Sequence, residues 1–544
     1  MNTLLRYGIT VLSLIACSSS TDPNTTTIEP VHFNDLTNTA GLDFAHFNGF
    51  SGEYYYLETF GAGAAFLDYD GDQDLDLYLV NGTYLEGLPP DPLPRNRLYQ
   101  NQGRGTFRNV SATTGADDSG YGFGVAAADY DADGDQDLFV ANFGPNVLYR
   151  NDGGIFTQTK TGVEDPRWST SAGYLDYDRD GDLDLFVANY VEFSLANNII
   201  CKKGKTQSYC EPSAYAPIGD ILYRNDSGYF TDISRQAGIS LAGRGLGVAF
   251  ADYDRDGDTD IYVANDGTMN FLYENQAGTF TEIGMSTGTR YDEHGHAEAG
   301  MGVDFGDYDR DDDMDLFVTN FAFETNTLYQ NDGQGQFDIA SDRLGLGEAS
   351  FRPLGFGTRF LDYDNDRDLD LFVANGHVMD VVAEWDSTQT YHQTNQMLRN
   401  ENGQRFIDVS ANLGPAFAQA NVGRGTAVAD YDDDGDLDLL VTTVADRPRL
   451  LRNEGGNHNH WLQILLVGRT HPDAIGARVV VVTGEIRQIL ERQSGGSYLS
   501  SHDPRLHFGL GQATKAQIEI TWPSGQIQML TDIAADQVLR VVEP

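Results

Sequence analysis

The sequence predicts an all-β fold, a seven-bladed β-propeller followed by a small β-sandwich or barrel. Three observations lead there. A nine-residue acidic motif, DYDxDxDxD, occurs seven times, and its flanks repeat with it. After the last copy one strand of the repeat is missing, and a segment of matching character stands at the other end of the chain, FNDLTNTAGL from Phe33. Drawing that segment into the last blade would close a ring and remove two exposed sheet edges.

Each repeat reads as four strands. Small residues come first, as in GVAAAD ending at Asp129, and the acidic motif follows. An apolar strand comes next, such as LFVAN from Leu138. A third strand carries NVLYRNDGG from Asn146 or TLYQNDGQG from Thr327, and a fourth reads FTDIS from Phe230 or FIDVS from Phe406. Four short strands per unit at a regular period is propeller patterning.

The motifs begin at Asp68, Asp129, Asp176, Asp252, Asp307, Asp362 and Asp430. So many like charges in nine residues repel unless a cation lies among them. Oxygen ligands at positions 1, 3, 5 and 9, with a carbonyl at position 7, make a shell for a hard cation of the calcium type. Magnesium keeps more of its water and fits less well. Up to seven structural Ca2+ ions are expected. The candidate ligands are Asp68, Asp70, Asp72 and Asp76; Asp129, Asp131, Asp133, Asp135 and Asp137; Asp176, Asp178, Asp180, Asp182 and Asp184. The later loops offer Asp252, Asp254, Asp256, Asp258 and Asp260; Asp307, Asp309, Asp311 and Asp315; Asp362, Asp364, Asp366 and Asp370; and Asp430, Asp432, Asp434, Asp436 and Asp438. An EF-hand is excluded because Val140, Val187 and Val263 stand where its twelfth-position Glu belongs.

Position 6 is Gly134, Gly181, Gly257 and Gly435 in four loops, where it permits a sharp bend. Gln73, Asp312 and Arg367 occupy it elsewhere. Gly71 suggests that the Asp68 loop bends differently, and Arg367 suggests a cation beside its site and weaker occupancy.

The chain has 544 residues, 28 Tyr, 29 Phe, 60 Gly and 17 Pro, the profile of a packed, turn-rich protein too large for one ordinary core. Its formal charge of -47 argues against nucleic acid as a partner. Residues 1–16 read as an export leader with Arg6 as its sole charge, and residues 17–30 as a flexible tether. Leu14-Ile15-Ala16-Cys17 resembles a bacterial lipobox, which would make Cys17 a lipidated first residue and the lipid the only membrane contact. An ordinary secretory leader cleaved elsewhere is the alternative. Cys201 and Cys210 are expected to form a disulfide that staples a loop, with a metal site as the weaker reading.

The acidic repeats, over residues 31–456, resemble the FG-GAP/VCBS repeats of integrin α-subunit propellers, whose loops bind calcium structurally. From residue 457 to 544, NHWLQILLVG, DAIGARVVV, GGSYLSS, LHFGLG and ITWPSG are similar to the ASPIC/UnbV domain. The whole resembles bacterial members of the cartilage acidic protein family, whose animal relatives are secreted matrix proteins. Read on its own, the same stretch alternates apolar residues in LQILLV, ARVVVV and IEITW, as short strands do.

Catalytic signatures are scarce. His294 and His296 in DEHGHAEAG, with His377 and His392, could hold a transition metal or serve as loop hydrogen-bonding groups. Tyr54, Tyr55 and Tyr56 read as packing residues or as a sugar platform. The resulting expectation is a non-enzymatic module for adhesion or assembly, exported to the bacterial outer membrane, at the cell surface or facing the periplasm, or alternatively secreted. Its partner would be a protein or glycan. An envelope enzyme acting on a polysaccharide or other polymer is the rival.

Overall fold

Small side chains ahead of each acidic motif let the innermost strands crowd together: YGFGVAAA at Tyr121–Ala128 is buried at all eight positions. Apolar residues behind the motif, as in Asp137–Phe143, make the next strand, and the motif is the turn between them. The computed structural model of the chain describes residues 30–85 and 92–544. The leader, the tether and Cys17 lie outside the described residues.

The first four-stranded sheet pairs Ala64–Leu67, Asp76–Leu79, Arg97–Asn101 and Phe107–Asn109 in chain order. Five further sheets of the same order lie within residues 121–159, 169–232, 245–282, 303–339 and 355–408. The seventh combines Gly423–Ala429, Asp438–Thr443 and Arg449–Glu454 with His32–Asp35 from the other end of the chain. His32 pairs with Glu454 and Phe33 with Asn453 in antiparallel register. Each innermost strand contacts its counterparts in the sheets on both sides, and Gly423–Ala429 meets Ala64–Leu67, so the ring closes.

Two repeated contacts lock neighbouring sheets. The Tyr at motif position 2 packs against the fourth-strand Phe of the next sheet, with ring centroids 5.5 Å apart for Tyr253 and Phe337 and 6.4 Å for Tyr363 and Phe33. Tyr431 and Phe107 make the same pair across the closure. The carbonyl of that Tyr also accepts Nδ2–H of the third-strand Asn of the next sheet: Asn151 to Tyr69, Asn225 to Tyr130 and, at the closure, Asn101 to Tyr431, at 2.8–2.9 Å.

The third sheet carries an insertion between its second and third strands. Its hairpin, Cys201–Lys203 with Thr206–Ser208, is stapled by the disulfide Cys201–Cys210 across a Cα–Cα distance of 5.0 Å. No helix among the described residues is long and apolar enough to cross a membrane.

Residues 460–542 form two sheets. One has Leu506–Gly511, His460–Val467 and Gln537–Val542, the last two parallel; the other has Ile486–Glu491, Arg478–Thr483, Lys515–Thr521 and Ile527–Ala534. Leu462, Ile464, Val481, Phe508, Ile518 and Trp522 make the core between them. This sandwich does not stand apart from the ring: Val31–Pro544 is one compact unit.

The reason is a segment between Ile486–Glu491 and Leu506–Gly511 that enters the ring centre. Ser494, Ser497, Leu499, Ser501 and His502 hydrogen-bond with the innermost strands of six of the seven sheets, including Ser497 N–H to Val303 O (2.8 Å) and Ser501 N–H to Ala64 O (2.9 Å). Leu499 O would lie 1.6 Å from a Cβ at position 63, so Gly63 is the residue that admits this strand. Tyr498 continues to the far side, where its ring meets Phe356 at 5.0 Å. Among the described residues this segment therefore occupies the ring centre.

Candidate metal centre

The acidic turns share one construction, seen in the Asp129 loop. Asp129 accepts the N–H groups of Asp133 (3.1 Å) and Gly134 (2.8 Å), so its carboxylate closes the turn on itself. Asp137 lies at the start of the second strand, fully buried, and accepts N–H from Asn151 (2.7 Å) and Tyr130 (3.1 Å). One oxygen each of Asp129, Asp131 and Asp137 lie within 4.8 Å of one another. Equivalent sets form from Asp68, Asp70 and Asp76; Asp176, Asp178 and Asp184; and Asp252, Asp254 and Asp260, while Asp307 and Asp309 group with Asp311.

All seven loops keep the frame. The N–H at position 6 donates to the carboxylate at position 1 in every one, Gln73, Asp312 and Arg367 included. The carboxylate at position 9 accepts the third-strand Asn N–H in every one, at 2.7–2.9 Å.

Position 3 is different. Oδ1 of Asp70, Asp131, Asp178, Asp309, Asp364 and Asp432 is buried with no hydrogen-bond partner. In Asp70 and Asp309 the second oxygen is occupied by Gln100 and Gln330, each at 2.6 Å, leaving Oδ1 turned to the cluster. Six buried, unspent carboxylate oxygens at one repeated position are costly unless a cation takes them.

The electrostatics agree. Burial pushes Asp137 and Asp184 up to about 9 and Asp76 up to about 8, with the neighbouring motif carboxylates raising them further. Burial likewise raises Asp129 to about 7. A divalent ion at the cluster would reverse this bias and hold every carboxylate charged. The donor set of converging carboxylate oxygens fits a hard cation.

Three expectations change. The Asp68 loop does not bend differently: position 6 is left-handed in Gln73 (φ 74°), Asp312 (φ 77°) and Arg367 (φ 84°) as in Gly134 (φ 101°). Position 4 is left-handed too, from Asn365 and Asp433 at 56° to Gly71 at 75°, so Gly71 occupies the shared second bend. Arg367 stays beside its loop, its Nε donating to Asp366 O (3.3 Å), but it has no carboxylate within ion-pair distance among the described residues and lies against Gly511 of the C-terminal sandwich. Side chains at position 7 spend one oxygen outside the cluster, and Asp436 keeps a buried Oδ1 with no hydrogen-bond partner. Asp135, Asp182, Asp258 and Asp436 accept N–H from Gly153, Ser227, Ala277 and Asn457, tying each loop to the segment that follows its sheet's third strand. Asp258 also pairs with Arg179 (3.0 Å), position 4 of the preceding loop, and Arg310 pairs with Asp368 (2.9 Å) in the same way.

Two contributions were missed in sequence reasoning. The third-strand Asn, which spends its N–H on its own loop and its Nδ2 on the next, was written in every repeat as the N of LYRN, LYQN, LYEN, MLRN or LLRN. The C-terminal sandwich also buttresses the loops: Asp473 accepts Asp129 N–H (2.6 Å), Glu491 accepts Asp252 N–H (3.2 Å) and Gln463 donates to Asp430 (2.8 Å). No repeat announces those.

The other candidates are dispersed. His294 and His296 are exposed on a turn held by Asp292, their rings 6.3 Å apart, whereas His377 is buried with Nδ1 accepting Met379 N–H (3.0 Å). His392 is exposed. Tyr55 and Tyr56 are buried, Tyr56 stacked on Tyr215 at 5.8 Å, which is packing rather than an open platform.

A sequence profile described as FG-GAP-like repeat matches residues 68–140, 129–187, 217–263, 252–318 and 362–441, more than half of the chain. The chain belongs to the FG-GAP-like repeat family. Behind the FG-GAP repeats, residues 468–544 match the profile of ASPIC and UnbV. This FG-GAP protein is 30% identical to cartilage acidic protein 1 of Mus musculus over 320 residues, which are 57% of this chain and 47% of the relative. It is also 30% identical to cartilage acidic protein 1 of Homo sapiens, over 57% of this chain and 46% of the relative. The chain thus spans about half the length of these curated relatives. Among solved structures, it is similar to a lectin of Agrocybe aegerita (15% identity, TM-score 0.37, 64% of this chain and 79% of that one). It is similar also to the exotype rhamnogalacturonan lyase YesX (14% identity, TM-score 0.39, 72% of each chain).

Proposed function

We propose that this FG-GAP protein is an exported, calcium-stabilised scaffold that presents a rigid ring surface to a protein or glycan partner at the cell envelope or in an extracellular matrix, with Cys17 as its lipid anchor. The observation that carries the calcium reading is the unspent Oδ1 at position 3, repeated in six loops beside a buried carboxylate at position 9. Calcium is favoured over magnesium because the cluster supplies several carboxylates from a short, tightly bent loop. Binding to the folded chain alone would stabilise it by about 2.7 kcal/mol per site at a hundredfold excess over Kd. The family membership supports the general binding role, and the likeness to cartilage acidic protein 1 supports export.

The test is thermal unfolding of the purified chain with a chelator, with calcium and with magnesium. The expected result is a large fall in Tm on chelation, restored by calcium and less by magnesium. Indifference to chelation overturns the calcium reading. Recovery of a polymer-cleaving activity that depends on His294 or His296 would overturn the non-enzymatic part.

A further inference from the structure

We propose that the ring face opposite the acidic loops carries a binding pocket for a small organic monocarboxylate, with Arg244 as its anchor. This goes beyond the calcium reading and does not depend on it.

A cavity of about 450 Å³ opens there. Its place follows from chain direction. Arg244 precedes the innermost strand Gly245–Ala251, Met301 precedes Val303–Gly306, and His377 follows the second strand Asp370–Asn375, all at strand ends away from the acidic turns. Phe60, Met301, Phe356 and Trp385 supply apolar walls. Phe356, which lines the cavity, packs against Tyr498 of the segment in the ring centre.

The polar groups say what is missing. Arg244 is only 7% exposed, yet no carboxylate lies within ion-pair distance of it among the described residues. Its Nη1 and Nη2 reach Gly267 O and Tyr215 O at 3.4 and 3.3 Å, and Nε has no partner. A buried guanidinium with an unspent donor is unfavourable unless an acceptor completes it. Arg424, fully buried, lies 3.9 Å over the Phe356 ring and donates only to carbonyls, those of Thr59, Gly376, Gly423 and His377. His377 uses Nδ1 as an acceptor, which leaves its proton on Nε2 at the cavity wall. In a chain of formal charge -47, Arg244 keeps an unspent Nε–H and His377 offers its Nε2–H, while Arg424 has spent all five of its donors.

Four acids line the cavity, and each is engaged. Glu211 pairs with Lys203 (3.6 Å), Asp386 accepts Thr388 N–H (2.9 Å), and the charge of Asp266 acts on Arg244 without reaching ion-pair distance. Asp266 accepts Tyr190 O–H (2.5 Å), and Glu324 accepts Ala299 N–H (2.8 Å). Their charge repels a second carboxylate, which limits the ligand to one. Arginine and a carboxylate make the strong, directional pair such a site requires.

The experiment uses the calcium-loaded full chain and benzoate as probe, read by tryptophan fluorescence, since Trp385 borders the cavity, and by thermal shift. Millimolar benzoate is expected to bind saturably, phthalate about tenfold more weakly, and benzyl alcohol not at all. Arg244→Met should weaken benzoate binding about tenfold or more, while Arg235→Met, at an exposed site, leaves it unchanged. Should Arg244→Met fail to fold, Met301→Trp, which fills the cavity, is expected to abolish binding. No saturable benzoate binding, equal binding of benzyl alcohol, or binding that survives both Arg244→Met and Met301→Trp overturns the proposal.

Discussion

The two faces of the ring are built on opposite plans. The acidic face repeats: the same Asp frame recurs in every sheet and is chained to the next through Asn Nδ2 and Tyr packing. The opposite face repeats one joint: in six sheets the N–H of the Asn at the end of the second strand donates to the Asn or Asp side chain ahead of the third. It is otherwise irregular among the described residues. Its aromatic cluster of Tyr56, Phe60, Trp168, Tyr190 and Tyr215 is drawn from unequal insertions, including the disulfide-stapled one. A ring needs identical joints to close, so repetition belongs to the face that holds the sheets together. A binding surface needs asymmetry, which the irregular connections supply.

The contrast can be broken most forcefully at position 9. Asp137→Ala removes a cluster carboxylate and strands two buried N–H groups, those of Asn151 and Tyr130, so a loss of about 3 kcal/mol or more is expected in denaturant unfolding. Trp385→Ala, at a 37% exposed position on the other face, should cost under about 1 kcal/mol. Equal losses would erase the division of labour.

Next in size is the pH response of the chelated protein. Burial raises Asp76, Asp129, Asp137 and Asp184 to about 8, 7, 9 and 9 in the folded chain, above the ordinary carboxylate range. Groups shifted upward favour the folded state while protonated, and that contribution is lost as pH rises through the folded value. The metal-free protein should therefore have a higher Tm near pH 5 than near pH 8. Calcium, which competes with protons for the same oxygens, should abolish or invert that slope. A chelated protein that gains stability over the same rise in pH would contradict this assignment.

A smaller effect separates ligand from tether. Asp135 accepts Gly153 N–H at 2.6 Å and lies outside the cluster, so Asp135→Ala should cost about 1 kcal/mol and leave calcium affinity unchanged by titration calorimetry. A drop in affinity matching that of Asp131→Ala would return Asp135 to the ligand set. The smallest effect is a gain: Gln73→Gly relieves a left-handed non-glycine residue whose side chain is exposed, and about 0.5–1 kcal/mol of added stability is expected. No gain would mean that Gln73 is unstrained at this bend.

Much of this molecule was legible before any coordinates. DYDADGDQD and its relatives are local, so the residues that form each turn lie within nine positions and show themselves by recurring. The closure through Phe33 was legible for the same reason, as one strand missing at one end and a matching one at the other. The second left-handed bend at position 4 was not, because Ala132, Arg179, Asn365 and Asp433 share a backbone conformation but no side-chain chemistry. Nor was the outward bond of Asp135, Asp182, Asp258 and Asp436, since alternation places them on the ligand face and only the position of the following turn engages one oxygen of each.

Repetition in the chain thus specifies the sheets, their turns and the ring, because those depend on neighbours in sequence. The tertiary structure alone decides that Tyr498 and Leu499 fill the ring centre, that Asp473 and Glu491 brace the loops at Asp129 and Asp252, and that Arg244 meets His377 around one cavity. Those contacts join residues far apart in the chain with no period between them, and what brings them together is the packing of buried surfaces as the ring closes on the sandwich.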